Sequence, residues 1–196
     1  MFKFFLFYIS LFTVILPFQA QSSDKIFDPI SMNWVSHEAA GSIQSKYRRK
    51  KMSCPEEIAQ YKEGTIYISQ KEKFLYLVQA ENKCMRYGIG VGRDGFRWSG
   101  KHRVSRKAEW PSWTPPPAMR KRQPDLPTYM EGGINNPLGA RALYIGATIY
   151  RIHGTNVPTS IGTDVSSGCI RLANHDIEDL YERVKVGARV VVSGNY

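Results

Sequence analysis

The stretch Ile152-His153-Gly154-Thr155, resumed at Ser166-Ser167-Gly168-Cys169-Ile170-Arg171-Leu172, sets the reading of this chain. The run before it, residues 148–152, is rich in β-formers, which puts His153 at a strand end. The connection 157–165 brings Cys169, sixteen residues on, back beside it. A cysteine of ordinary pKa, about 8.5, is only a few per cent thiolate at neutral pH. An adjacent imidazole raises that fraction and later returns the proton to a leaving amine. Glycine before the nucleophile permits a tight turn and leaves room for amides aimed at a developing oxyanion; each such donor is worth roughly 10²–10³ in rate. The bland reading is a buried structural cysteine and a satisfied core histidine. Glycines beside both residues, serines before the cysteine and Arg171 after it weigh against that, and by chemistry alone the two readings stand even.

Outward from that segment, most periodicity is strand-like. Residues 65–68 (TIYI) and 74–78 (FLYLV) read as a hairpin with 70–73 as its polar connection, and a third strand is expected over 83–91. The glycine run 88–92 superficially looks like a dinucleotide loop. It leads into Arg93-Asp94-Gly95-Phe96-Arg97 rather than a helix, so a strand end entering a turn fits better. Residues 110–117 (WPSWTPPP) exclude regular structure, because each proline removes a donor and restricts its predecessor. Trp110 and Trp113 there either line a substrate groove or cap the core. Strands resume at 142–145 and 148–152. One helix is clearly signalled: Asn174 as its cap, acids at 176, 178 and 179, and Ile177, Leu180, Tyr181 and Val184 at helical spacing. Gly187 ends it, and 189–192 supplies a last strand. The domain is therefore mainly β.

The amino terminus concerns compartment rather than fold. Lys3 precedes an apolar run, residues 4–18, interrupted only by Ser10 and Thr13, with small residues at Ala20 and Ser22. That is a secretory signal, here residues 1–20, too short for the ~20 residues of a bilayer span; an uncleaved anchor is the alternative. Residues 21–54 are polar, end in the basic cluster 46–51, and read as a flexible lead-in that either touches polyanions or is simply solvated. Residues 55–196 form the domain, long enough for a core of their own. A formal charge of +10 favours anionic partners; for an exported chain these are wall carboxylates, not nucleic acid. In an oxidising compartment Cys54 and Cys84 are able to pair, which would leave Cys169 free. No CxxC or HExxH is present, and the four histidines are scattered, so neither a metal site nor a cofactor is expected.

The segment 153–155 with 166–172 resembles the signature of the L,D-transpeptidase (YkuD) family. The likeness runs over about 61–192 and includes Gly64-Thr65-Ile66, the Trp-Pro segment, Asn136-Pro137-Leu138-Gly139 and Val186-Gly187-Ala188-Arg189-Val190. It is greatest with the short, single-domain members of Gram-negative bacteria. The resemblance implies a mixed β-sandwich or barrel and a periplasmic cysteine acyltransferase. Cys169 would attack the diaminopimelate–D-alanine bond of a stem tetrapeptide, release D-alanine, and pass the acyl group to an amine of another stem (a 3→3 cross-link) or of an envelope protein. His153 would be the base, oriented by the Gly154 carbonyl, and amides near Gly168 and Cys169 the oxyanion hole. Arg171 would meet a substrate carboxylate, with Ser166, Ser167, Trp110 and Trp113 also at the substrate. Acylation of Cys169 by carbapenems is implied as well. Many relatives carry histidine two residues before the cysteine; here it is Ser167, which leaves His153 as the motif's one imidazole. His175 reads as a surface residue, and His37 and His102 carry no signal. An L,D-carboxypeptidase-type hydrolase and a non-catalytic wall-binding module are the rival functions.

Overall fold

A computed structural model describes residues 25–28, 33–36 and 41–194; the expected signal peptide and His37 lie outside them. In chain order the elements are β1 (Lys25–Asp28), β2 (Asn33–Ser36), β3 (Lys50–Ser53), α1 (Glu56–Ala59), β4 (Ile66–Ser69), β5 (Phe74–Gln79), β6 (Lys83–Gly88), β7 (Val91–Gly92) and β8 (Gly100–Glu109). There follow α2 (Pro117–Arg122), β9 (Arg141–Ile145), β10 (Arg151–His153), β11 (Asp164–Ser166), β12 (Ile170–Arg171), α3 (Asn174–Arg183) and β13 (Arg189–Val192). Nine strands make one sheet in the order β12-β10-β9-β8-β13-β4-β5-β6-β3, while β1 pairs β2 and β11 pairs β7. Most pairs are antiparallel; β13–β4, β10–β12 and β11–β7 are parallel. The result is the expected mainly β domain.

Alternation builds the core. Ile66 and Ile68, Leu75 and Leu77, Leu143 and Ile145, and Val190 and Val192 point to one face, where successive residues of a pleated strand must diverge. Ile177, Leu180 and Val184 of α3 cover that face. The opposite face of β5 and β6 holds Tyr76, Val78 and Cys84 under Ile58 of α1, and Cys84 is joined there to Cys54. The β5–β6 turn places Glu81 and Asn82 at positive φ, as a two-residue hairpin of matching twist demands. The ten-residue β8 pairs first with β13 and then with β9, with a register shift between Val104 and Arg106. Such a bulge bends a strand, and here it curls the sheet toward a half-barrel.

Several expectations are corrected. The lead-in is not wholly flexible: Lys50–Ser53 is the edge strand beside β6, Tyr47 is buried, and Arg49 pairs with Asp179 of α3 at 3.1 Å. The long strand β8 gave no signal, because its residues are mostly polar and only Val104 is fully buried. The third strand stops at Gly88. Pro117 opens the short helix α2, where a missing N–H at the first position costs nothing. Asn174 is the first residue of α3 rather than its cap, and its side chain is engaged elsewhere. No helix among the described residues is long and apolar enough to cross a membrane.

Candidate active site

The residues of the His–Cys motif meet at the sheet edge. β10 ends at His153 and lies parallel to β12, with Ile152 opposite Ile170 and His153 opposite Arg171. Cys169 is the residue just before β12, at the turn from β11, so the ladder itself brings it back to the end of β10. His153 and Cys169 line one cleft of about 600 Å³ together with Arg171, Ser166, Ser167, Trp113 and Tyr150. Cys169 is half-buried and unbonded to another cysteine.

The end of β10 is fixed from behind. Gly154 N–H donates to the Arg141 carbonyl at 3.0 Å, and the Asn174 Oδ1 accepts from Ala140 N–H at 3.0 Å. That same oxygen would lie 2.3 Å from a Cβ on residue 154, so only glycine fits. His153 Nδ1 meets the Gly154 carbonyl at 2.6 Å; as the donor in this bond it leaves Nε2 as the basic nitrogen. With 3% of its surface exposed, His153 is pushed down to about pKa 3, first by burial and then by the Arg171 charge, with the Gly154 and Leu138 backbones acting the other way. It is a neutral imidazole across the physiological range, the form a general base requires.

The turn that carries Cys169 is held by side chains from its own sequence and from far away. Ser166 Oγ donates to the Cys169 carbonyl at 2.6 Å and accepts from Gly168 N–H at 3.1 Å. Gly168 has φ +104°, and a Cβ there would lie 2.3 Å from the Tyr150 ring. Its carbonyl accepts from Trp98 Nε1 at 2.7 Å. The glycine run set aside in the sequence pairs with the backbone on both sides of this turn. Gly90 exchanges two 2.9 Å hydrogen bonds with Arg171, and Gly92 pairs with Ser166.

These contacts revise the roles first read from sequence. Ser166 lines the cleft but its hydroxyl also braces the turn, donating to the Cys169 carbonyl and accepting from Gly168 N–H. Gly168 N–H is already taken by Ser166, so it is no oxyanion donor; the Cys169 N–H has no partner among the described residues. Trp110 is 42% exposed and lies off the cleft; its backbone N–H donates to the Ala140 carbonyl. Trp113 does line the cleft, stacked on Phe27 of β1 at 6.2 Å between ring centroids. Ser167 lines it too, and His175 is a surface residue beside Asp176.

Arg171 is 7% exposed, yet its Nε and one terminal nitrogen have no hydrogen-bond partner among the described residues. Burial pushes it down to about pKa 10, while the charges of Cys169 and Asp28 act upward, so it stays a cation at neutral pH. Asp28 belongs to β1, so the lead-in reaches this site. Sequence reasoning missed Trp98 and the β1 residues, which are distant in the chain, and gave the nearby Tyr150 and Asn174 no part in the site. The arginines Arg93, Arg122 and Arg151 also line the cleft, and no acid lines it among the described residues. Among the described residues no three His, Cys, Asp or Glu side chains gather into a metal-binding group.

Residues 63–192 match the family model for the YkuD L,D-transpeptidase catalytic domain. The chain is 40% identical over 136 residues to the probable L,D-transpeptidase YbiS of Escherichia coli K12, covering 65% of this chain and 44% of that one. It thus spans less than half the length of that relative. The crystal structure of a probable carnitine operon oxidoreductase caia from Brucella melitensis is 41% identical, with a TM-score of 0.51 over 81% of this chain and all of that one. The catalytic domain of the E. faecium L,D-transpeptidase acylated by ertapenem is 19% identical with a TM-score of 0.51, covering 68% of this chain and 99% of that domain, and shares the fold. The chain belongs to the YkuD family of L,D-transpeptidase catalytic domains.

Proposed function

We propose that the protein is an exported, periplasmic acyltransferase acting on peptidoglycan stem peptides, directed there by residues 1–20 as a signal. The Cys169 thiol gives its proton to His153 Nε2, and the sulfur attacks the carbonyl of the diaminopimelate–D-alanine bond. The Cys169 N–H donates to the resulting oxyanion. As the C–N bond breaks, His153 returns the proton to the nitrogen of D-alanine, which leaves, and a thioester remains. An amine of a second stem or of an envelope protein attacks the thioester, its proton passing through His153 to the departing sulfur. Arg171 pairs with a carboxylate of the donor. Gly154 fixes the tautomer of His153, and Trp113 and Ser167 form part of the donor wall.

The observation that carries this reading is the shared cleft, with a free cysteine, a neutral buried imidazole and a guanidinium with open donors on its wall. Incubation with a disaccharide tetrapeptide should release D-alanine and give cross-linked dimers or D-amino-acid exchange products. Cys169→Ala should lose at least about 10⁴ in turnover, as nucleophile removal does elsewhere. Tripeptide with no dimer or exchange product would point to the hydrolase instead. Release of D-alanine by the alanine variant at the wild-type rate would falsify the assignment of the nucleophile. An ertapenem adduct on wild type, located at Cys169 by peptide mass mapping, is the expected companion result.

A further inference from the structure

Trp98 takes no part in the chemistry above and is not on the cleft wall, yet it reaches the nucleophile turn across 70 residues of sequence. Its ring lies flat on Tyr150, 4.5 Å between centroids and 7° from parallel, with His102 edge-on at 5.4 Å. Its carbonyl accepts from Gln70 Nε2 at 2.5 Å, and Gln70 is itself buried. Held on these sides, the indole N–H donates to the Gly168 carbonyl at 2.7 Å.

Three successive peptide groups make up the turn, and they are held by different residues. Ser166 holds the Ser167–Gly168 group through Gly168 N–H and the Cys169–Ile170 group through the Cys169 carbonyl. The group between them, Gly168–Cys169, has one hydrogen bond among the described residues, the one from Trp98. A peptide group is planar, and in the trans form its C=O and N–H point in opposite directions; no peptide in the described chain is cis. Fixing the Gly168 carbonyl on one side therefore fixes where the Cys169 N–H points on the other. Glycine at φ +104° leaves this group freer to rotate than any other residue would. We infer that Trp98 is a positioning residue: it locks the Gly168–Cys169 peptide plane so that the Cys169 N–H faces the acyl carbonyl as the oxyanion donor. This rests on the acyl-transfer reading of Cys169.

The test separates aim from reactivity. Trp98→Phe keeps an aromatic ring against Tyr150 and removes the N–H. Replacing Trp98 by 3-benzothienylalanine keeps the bicyclic shape as well, which guards against a folding defect. Alkylation of Cys169 by iodoacetamide displaces iodide at carbon and develops no oxyanion, so it reports the thiol alone. Both variants should lose roughly 10- to 100-fold in kcat for D-alanine release, less than the roughly 10²–10³ lost when an oxyanion donor is removed outright, because the Cys169 N–H is misaimed rather than absent. Their KM and alkylation rates should stay within about twofold of wild type. Unchanged kcat overturns the inference, and so does alkylation falling in step with kcat, which would mean the whole turn had loosened. A wild type that is alkylated but never acylated sinks the acyl-transfer reading and this inference with it. Normal wild-type acylation beside fully active variants sinks the inference alone.

Discussion

Cys169 and Arg171 are two residues apart and line the same cleft, but their surroundings are built on opposite plans. Around Cys169 the turn is tied down by Ser166, Trp98 and the close face of Tyr150. Around Arg171 the backbone is paired with Gly90, but the guanidinium is buried with donors left open. Burying a cation without full pairing costs several kcal/mol in general. The difference teaches that internal hydrogen bonds fix the turn around Cys169, whereas the Arg171 guanidinium keeps donors open; on the proposed function, an incoming carboxylate completes them. Asp28 lends Arg171 part of that missing charge in the free protein.

The comparison breaks most easily at Arg171. Arg171→Met replaces a poorly satisfied cation with an apolar chain of similar length. It should lower kcat/KM for a stem tetrapeptide by about 100-fold or more, in line with the loss on truncating one partner of a buried charged pair. The melting temperature should hold or rise, because the buried charge is gone. A melting temperature that falls while turnover survives would show that Arg171 belongs to the fold rather than to substrate.

Ser166→Ala tests the opposite plan. It strips the partner from Gly168 N–H and from the Cys169 carbonyl together, so stability in urea should fall by about 1–3 kcal/mol, the usual cost of buried groups left unpaired. Here kcat should fall with stability, unlike at Arg171. An equally stable and active variant would remove the contrast between the two regions.

The smallest effect sharpens the reacting side. His153 has a folded pKa near 3 against an ordinary 6.5, so between these values the unfolded chain binds a proton that the folded chain refuses. Stability supplied by the neutral ring is thus present above pH 6.5 and is lost as pH falls toward 3. Between pH 6.5 and pH 5 the loss is about 2 kcal/mol, at about 1.4 kcal/mol per unit. Urea titrations of wild type and His153→Gln at pH 7 and pH 5 measure it. The variant should show a flatter pH dependence, and identical slopes would argue that His153 is not held neutral by burial.

Much of the fold was legible because burial alternates along single strands. Residues 66–69 and 74–79 give themselves away by β-branched and aromatic residues, and α3 by Ile177, Leu180 and Val184. β8 was not legible, since ten mostly polar residues form a strand only because β13 and β9 each pair with part of it. The lead-in was misread for a similar reason: Tyr47 and Arg49 gain their place from Gly162, Phe74 and Asp179, none nearby in sequence. At the site, the spacing of His153 and Cys169 on either side of a loop marked the pair. Trp110 was drawn in because an aromatic loop has no direction in sequence; Trp113 lines the cleft and Trp110 does not.

The sequence by itself determined that this chain is mainly β, that one helix precedes its last strand, and that it carries a His–Cys signature of the YkuD kind. Each of those is written within a short window, by alternation, spacing or identity. Only the tertiary structure decided that Trp98 holds the carbonyl beside Cys169, that Arg171 keeps open donors and that His153 is driven neutral. Those depend on which atoms from remote segments fill the space around a group. Packing sets that, and no local pattern records it.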